Sequence, residues 1–273
     1  MTFMARRWTA IVLTVLAAAL LAWGMIAAYG SLHDAAYFSG WVLLGMMLFL
    51  TAYNLRKKLP YPPLLRSSTW LQLHIYVGWL TVFLFPIHIG LRVPNGPFEV
   101  TLSLLFVAVV ISGIVGLVLS RASPRRLSIQ GEEVLFERIP AFRRELRQQA
   151  EGIVVRSVEQ AQAMTLADFY RSALADFFHG PRHTLWHLCQ SSRPLRRIRN
   201  DLRSLHRYLN ESERQAADEL RQLVEAKDGL DYHYAMQGAL KLWLFVHIPL
   251  TYVLLIFAIV HTVLVHTFVR AGA

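Results

Sequence analysis

Five blocks of about twenty apolar residues dominate this chain of 273 residues: Trp8 to Tyr29, Ala35 to Tyr53, Trp70 to Leu91, Phe98 to Ser120 and Leu240 to Val269. At about 1.5 Å of rise per residue, each is long enough to cross a hydrocarbon layer of about 30 Å as a helix. No water reaches the backbone at that depth, so its amides must be satisfied within the segment, as an α-helix does. With 55% hydrophobic and 17% charged residues, the chain reads as all-α, an integral membrane bundle of five transmembrane helices. Arg6 and Arg7 before the first block also suit a secretory signal. Its apolar run is longer than a signal core and no clean small-residue cleavage site follows, so it is read as a retained span.

Short loops join the first four spans, and about 120 residues then separate the fourth from the fifth. The expected division is 1–120 for four spans, 121–239 for an insert and 240–273 for the fifth span. The insert reads as mainly helical. Ser157 with Gln160 forms a capping-box pattern ahead of an amphipathic run to Phe178, and Asn210 with Glu213 opens another to about Lys227. Asp228 with Gly229 is expected to end that helix before the membrane. A short β-rich piece is expected near Val134 to Ile139.

Basic residues set the expected orientation. Arg6 and Arg7 precede span one, and Arg56, Lys57, Lys58 and Arg66 lie between spans two and three. Arg92 alone separates spans three and four, and Arg270 alone follows span five. The positive-inside rule puts the N-terminus and the insert in the cytoplasm and the C-terminus outside, in a bacterial inner membrane.

Two of these spans carry paired histidines: His74 and His88 in one, His247 and His261 in the other, each pair fourteen positions apart. Fourteen residues advance a helix by about 21 Å and bring the second side chain back to within about 40° of the first. Spans three and five run in the same direction under the assigned topology. His74 lies four residues after Trp70 and His247 four after Trp243, and interfacial tryptophans mark depth. Cross-helix pairing of His74 with His247 and of His88 with His261 then gives two bis-imidazole sites, stacked across the bilayer. Imidazole is a common metal ligand, so two axially ligated haems are the expected cofactors. A proton relay or a histidine-based proton or metal transporter is the haem-free alternative. Acids lining a path would favour it, and spans one, two, three and five contain none.

One cysteine, Cys189, allows no internal disulfide, and there is no C-x-x-C-H. Haem held here would be non-covalent, of b type. Gly78 and Gly90 beside the ligands, Gly40 and Gly45 in span two, and Gly113 and Gly116 in span four leave room for a flat macrocycle or a close helix. Pro86 and Pro249 lie two residues from His88 and His247, where a kink is expected. Arg92, one turn past His88, is the candidate partner for a haem propionate, with Lys241 and Arg66 as candidates for the inner site. His266 reads as interfacial, with a quinone-site role as the alternative, and His33 and Asp34 read likewise. His179, His183 and His187 recur every four residues, but Gly180 and Pro181 interrupt any continuous ligand stripe.

In the insert, Arg182, Arg193, Arg196, Arg197, Arg199, Arg203 and Arg207 face a single acid, Asp201, over one stretch. Anionic lipid and an acidic redox partner are the two readings of that charge. Nucleic acid is not expected, since no recognition motif is present.

The stretches LHIYVGWLTVFLFPIHIGLR and LWLFVHIPLTYVLLIFAIVHTVLVH resemble the ligand helices of the di-haem b-type cytochromes of energy-converting membranes. That resemblance implies that His74, His88, His247 and His261 are axial ligands to two b haems that pass electrons between the membrane faces. Histidine pairs on spans three and five are also similar to those of ferric-reductase-like and NADPH-oxidase-like membrane domains. The Pro-Glu-Trp-Tyr quinol motif of the large cytochrome b is absent, and the small cytochrome b subunits of dehydrogenases and hydrogenases have shorter inserts. The expected function is that of a di-haem b-type subunit moving electrons between a quinone pool and a redox protein such as cytochrome c, an iron–sulfur protein or a flavoprotein. A ferric- or sulfoxide-reductase-type module feeding an outside catalyst is the alternative.

Overall fold

The computed structural model describes Trp8, Val12 and residues 14–24, 35–58, 67–127, 136–161 and 164–271. These residues are mainly helical, joined by short turns such as 89–96, 180–183 and 206–210, with no strand among them. In chain order the helices are α1 (Thr14–Gly24), α2 (Ala35–Lys58), α3 (Ser67–His88), α4 (Pro97–Leu127), α5 (Ile139–Ala161), α6 (Thr165–Phe169), α7 (Ala175–His179), α8 (Thr184–Leu188), α9 (Arg193–Leu205) and α10 (Glu211–Ala271). A π-helical turn, Tyr170–Leu174, joins α6 to α7. Four helices, α2, α3, α4 and α10, are long and apolar enough to cross a membrane. Of the first expected span, α1 is a shorter apolar helix, and much of the remainder lies outside the described residues.

The chain divides into two compact units, 1–114 with 245–273 and 115–244. In the first, α2 and α3 form an antiparallel hairpin. Phe49 stacks on Trp70 at 5.5 Å and Tyr53 lies 5.3 Å from His74, while at the other end Ser39 meets His88. Phe85 on α3 stacks on Phe106 of α4 at 4.1 Å, and Phe98 on α4 stacks on Phe257 of α10 at 5.5 Å. Since α4 runs antiparallel to both, α3 and α10 run in the same direction. Leu43, Met47, Leu84, Phe106 and Leu254 close the core from four helices. Around it, only 6–11% of each apolar window is buried, and side chains such as Leu104 and Phe245 point outward. Lipid is the solvent that such a surface fits. Hydrocarbon supplies no hydrophobic drive between helices, so close van der Waals approach must hold them.

The second unit has the core of a water-soluble domain. Val154, Leu166, Tyr170, Leu174, Phe177, Phe178, Leu202, Leu220 and Val224 gather from α5 to α10 into one buried cluster. Polar groups are buried with them. Lys227 and Asp231 pair one turn apart on α10, both inaccessible to water, and Lys227 also donates to the Gly180 carbonyl at 2.8 Å. Asp231 accepts from the Arg182 amide at 3.0 Å and faces Arg143 at 3.9 Å. The Lys227 ammonium sits 4.0 Å from the centre of the Phe177 ring. This network ties the 180–182 segment and α5 to α10.

Three expectations for the insert are corrected. Ser157 does not cap a helix: it lies buried inside α5, which begins at Ile139 and carries Pro140 in its first turn, where the missing N–H costs nothing. Of the β-rich piece at Val134 to Ile139, residues 136–138 form a 3-10 turn and Ile139 begins α5, while 134–135 lie outside the described residues. Asp228 and Gly229 do not end a helix, because α10 runs unbroken from Glu211 to Ala271. A mid-helix glycine costs only about 1 kcal/mol. Leu220, Val224, Lys227, Leu230 and Asp231 bury one face across that point, and Asp228 is held by His187 at 3.5 Å. The Asn210–Glu213 box forms as expected: the Glu213 amide donates to Asn210 Oδ1 at 2.9 Å and the Asn210 amide to Glu213 Oε2 at 3.3 Å.

Candidate functional site

The first unit brings His88 of α3 and His261 of α10 together edge to face, with ring centroids 6.5 Å apart and ring planes at 89°. Both line a cavity of about 270 Å³, together with Leu43, Met47, Phe85, Phe106 and Leu254. His261 stacks on Phe98 at 6.3 Å. His88 Nδ1 lies 2.9 Å from the Ser39 hydroxyl, which gives its hydrogen to the Ala36 carbonyl at 2.8 Å. The hydroxyl therefore accepts from Nδ1–H, and the lone pair of His88 is left on Nε2. A Cβ on Gly40 would come within 3.0 Å of His88 Cε1, so the glycine in span two makes room for this imidazole.

This donor set fits a metal held between two imidazoles. Two imidazole–metal bonds of about 2 Å each place ring centroids about 6 Å apart. Rotation about that axis leaves the angle between ring planes unconstrained. Among the described residues the cavity lining holds no carboxylate or thiolate, and no three His, Cys, Asp or Glu side chains converge as a metal cluster. Such a lining would suit a group that takes His88 and His261 as its two protein ligands and fills its other metal positions itself.

The other expected pair is engaged by different neighbours. His247 Nδ1 lies 3.1 Å from the Ser112 hydroxyl on α4, and a Cβ on Gly113 would touch its ring at 3.9 Å. His74 rests against Tyr53 on α2. Serines therefore engage Nδ1 of one histidine on each of α3 and α10, and neither serine has a sequence signature that pointed to this use.

Of the remaining candidates, Gly90 has φ +63° and turns the chain after α3, with its amide bonded to the Ile87 carbonyl at 3.1 Å. That left-handed turn accounts for a glycine there. Gly78 and Gly45 face open space, whereas a Cβ on Gly116 would strike the Trp243 indole, its nearest atom 2.0 Å away. Trp243 is thus packed onto α4. Arg92 is exposed, and its amide bonds to Ile89. Lys241 pairs with Glu137 at 2.6 Å and covers the Phe136 ring at 4.1 Å. The hydrogen bond from Lys241 holds the Glu137 carboxyl below its ordinary range. Arg66, His33 and Asp34 lie outside the described residues.

His266 is the residue whose place the sequence obscured. Five positions past His261 it faces away from an ideal ligand stripe, yet it lines the same cavity, against Tyr37 at 5.1 Å and Trp41 at 5.6 Å. Tyr37 donates to the Val265 carbonyl at 3.3 Å, locking α2 to this turn of α10. In the second unit His233 is buried, and neither ring nitrogen has a hydrogen-bond partner among the described residues. It lies fourteen residues before His247, the spacing that could have singled it out. The row His179, His183 and His187 is broken, since α7 ends at His179 and His183 adopts φ +60° before α8.

Comparison with protein-family models, with curated proteins and with solved structures found no match to this chain.

Proposed function

We propose that the first unit is a di-haem b-type electron-transfer module. His88 and His261 hold one haem and His74 and His247 the other, and the chain works as a subunit that carries electrons across a membrane between a quinone pool and a redox protein. The observation that carries this reading is the opposed His88–His261 pair beside an apolar cavity, with Nδ1 of His88 spoken for by Ser39. Each haem, when bound, supplies a one-electron centre whose potential the surroundings tune. The residues supply the rest. The serines on Nδ1 orient the imidazoles and raise their basicity. Phe85, Phe106, Phe98 and Leu254 exclude water around the outer site, and Gly40 lets α2 approach it. Tyr37, Thr262 and His266 give that cavity its polar end; Tyr37 and Thr262 spend their hydrogens on the Val265 and Ala258 carbonyls, which leaves His266 as the group there that could donate to a haem carboxylate, beside exposed Arg92.

Haem quantification and a reduced-minus-oxidised spectrum of the purified full chain test the reading. Two non-covalent, low-spin haems per polypeptide are expected, and a colourless preparation with intact helices overturns it in favour of a haem-free relay. Oxidation of the reduced chain by a quinone analogue, but not by an iron(III) chelate, separates a quinone-linked subunit from a ferric-reductase-type module.

A further inference from the structure

We propose that the arginine face of α9 is a docking surface for the anionic headgroups of a phospholipid bilayer. This inference does not rest on the haem reading. The helix is strongly two-sided. Leu195, Ile198, Leu202 and Leu205 pack into the core of the second unit, while Arg193, Arg196, Arg197 and Arg203 are exposed on an arc of about 120° on the opposite side. Arg207, also exposed, follows one turn later. None of these five makes an ion pair among the described residues, and Asp201 pairs with none of them. Arg199, by contrast, lies off that arc and is neutralised by Glu225 at 2.8 Å.

Uncompensated arginines on a folded surface carry a cost in self-repulsion unless an anionic partner relieves it. Three observations select lipid over an acidic protein. The insert is continuous at both ends with apolar helices of spanning length, so a bilayer surface is always within its reach and binding is effectively intramolecular. Along one side of α9 the charges from Arg193 to Arg203 extend about 15 Å, which suits a plane of phosphates. At either end of the helix the chain exposes large amphipathic or apolar groups, Trp186 with Leu185 before it and Tyr208 (78% exposed) after it, the types that settle at headgroup depth.

Cys189, the one cysteine, is exposed four residues before Arg193 and gives a reporter site. The full chain, labelled there with an environment-sensitive fluorophore, is placed in nanodiscs containing headgroup-spin-labelled phosphatidylcholine, with or without phosphatidylglycerol. Quenching is expected with phosphatidylglycerol and is expected to be lost without it. It should also be lost at about 1 M salt, where the screening length falls to about 3 Å. Replacing Arg193, Arg196, Arg197 and Arg203 together by Gln should abolish it, while replacing the same four by Lys should preserve it, because a lipid surface reads charge rather than the guanidinium fork. Quenching indifferent to lipid charge, or unchanged in the glutamine variant, overturns the proposal. So does protection of α9 by an acidic protein with no response to phosphatidylglycerol. Both variants keep the apolar face of α9, and their haem spectra report on the other unit independently.

Discussion

In the first unit the enclosed side chains are Leu43, Met47, Leu84, Phe106 and Leu254 with two small hydroxyls, Ser39 and Thr81, and no charged group among the described residues, while large apolar groups such as Trp41 and Phe245 also face outward. The second unit encloses Lys227, Asp231, Glu213, His233 and Arg143 and turns the arginines of α9 outward. The solvent explains the contrast. Lipid cannot reward burial of an apolar face, so the bundle leaves its apolar surface outside and keeps polar groups only where they have a task. Water rewards burial, and a domain with a large apolar core can enclose an ion pair, provided each partner is satisfied. Polar side chains in the first unit should therefore carry function and those in the second should carry fold.

The sharpest way to break this comparison is His88→Ala. One of two haems should be lost, halving the haem to protein ratio, while helix content and thermal unfolding of the bundle change little. Retention of both haems would remove the assigned pairing, and collapse of the bundle would remove the contrast. Asp231→Ala is the counterpart. It strands the Lys227 charge and the Arg182 amide, and breaking a buried pair in this way costs about 3–5 kcal/mol. Chemical denaturation should show the insert unfolding early with the haem spectrum preserved. Replacing Lys227 by Met and Asp231 by Leu together should recover most of the loss.

A smaller effect is expected from pH. Burial pushes the His183 imidazole below its ordinary value of 6.5, with Asp228 opposing in part. The folded state then holds its proton less tightly than the unfolded one. The resulting stability is complete above about pH 6.5 and declines as pH falls from there toward the folded value. Denaturation midpoints of the insert should drop between neutral and acidic pH, and His183→Gln should remove part of that drop, since burial lowers the His233 imidazole of the same unit as well. The smallest effect is Asn210→Ala, which removes the cap at the start of α10 and should cost about 1 kcal/mol. The haem spectrum should be blind to it.

Particular residues show how far the sequence could be read. The spacing of His88 and His261 was visible because a helix repeats geometrically, and equal spacing on two spans put them at equal depth. The Asn210–Glu213 box was visible because its hydrogen bonds join residues three apart. Ser39 and Ser112 were not, since each meets its histidine across 49 and 135 positions of chain. His266 was placed by helical phase alone, which ignores that Tyr37 and Trp41 of another helix come to meet it. Ser157 and Gly229 carried local signals for helix ends, and burial of the α5 and α10 faces outweighed them. A capping or glycine preference is worth about 1 kcal/mol, less than the packing of several buried side chains.

The amino-acid order by itself determined that the chain is mainly helical, that it carries long apolar segments, read as five spans of which the structure shows four of spanning length, and that two of them carry histidines in step. These follow from apolar run length and helical periodicity, which are properties of neighbours along the chain. Tertiary structure alone decided which groups hold those imidazoles, that α10 is one unbroken helix, and that Lys227 and Asp231 lie sealed beside Gly180. Each of those outcomes is a contact between distant positions, and its free energy exists only once the surrounding side chains have displaced the solvent.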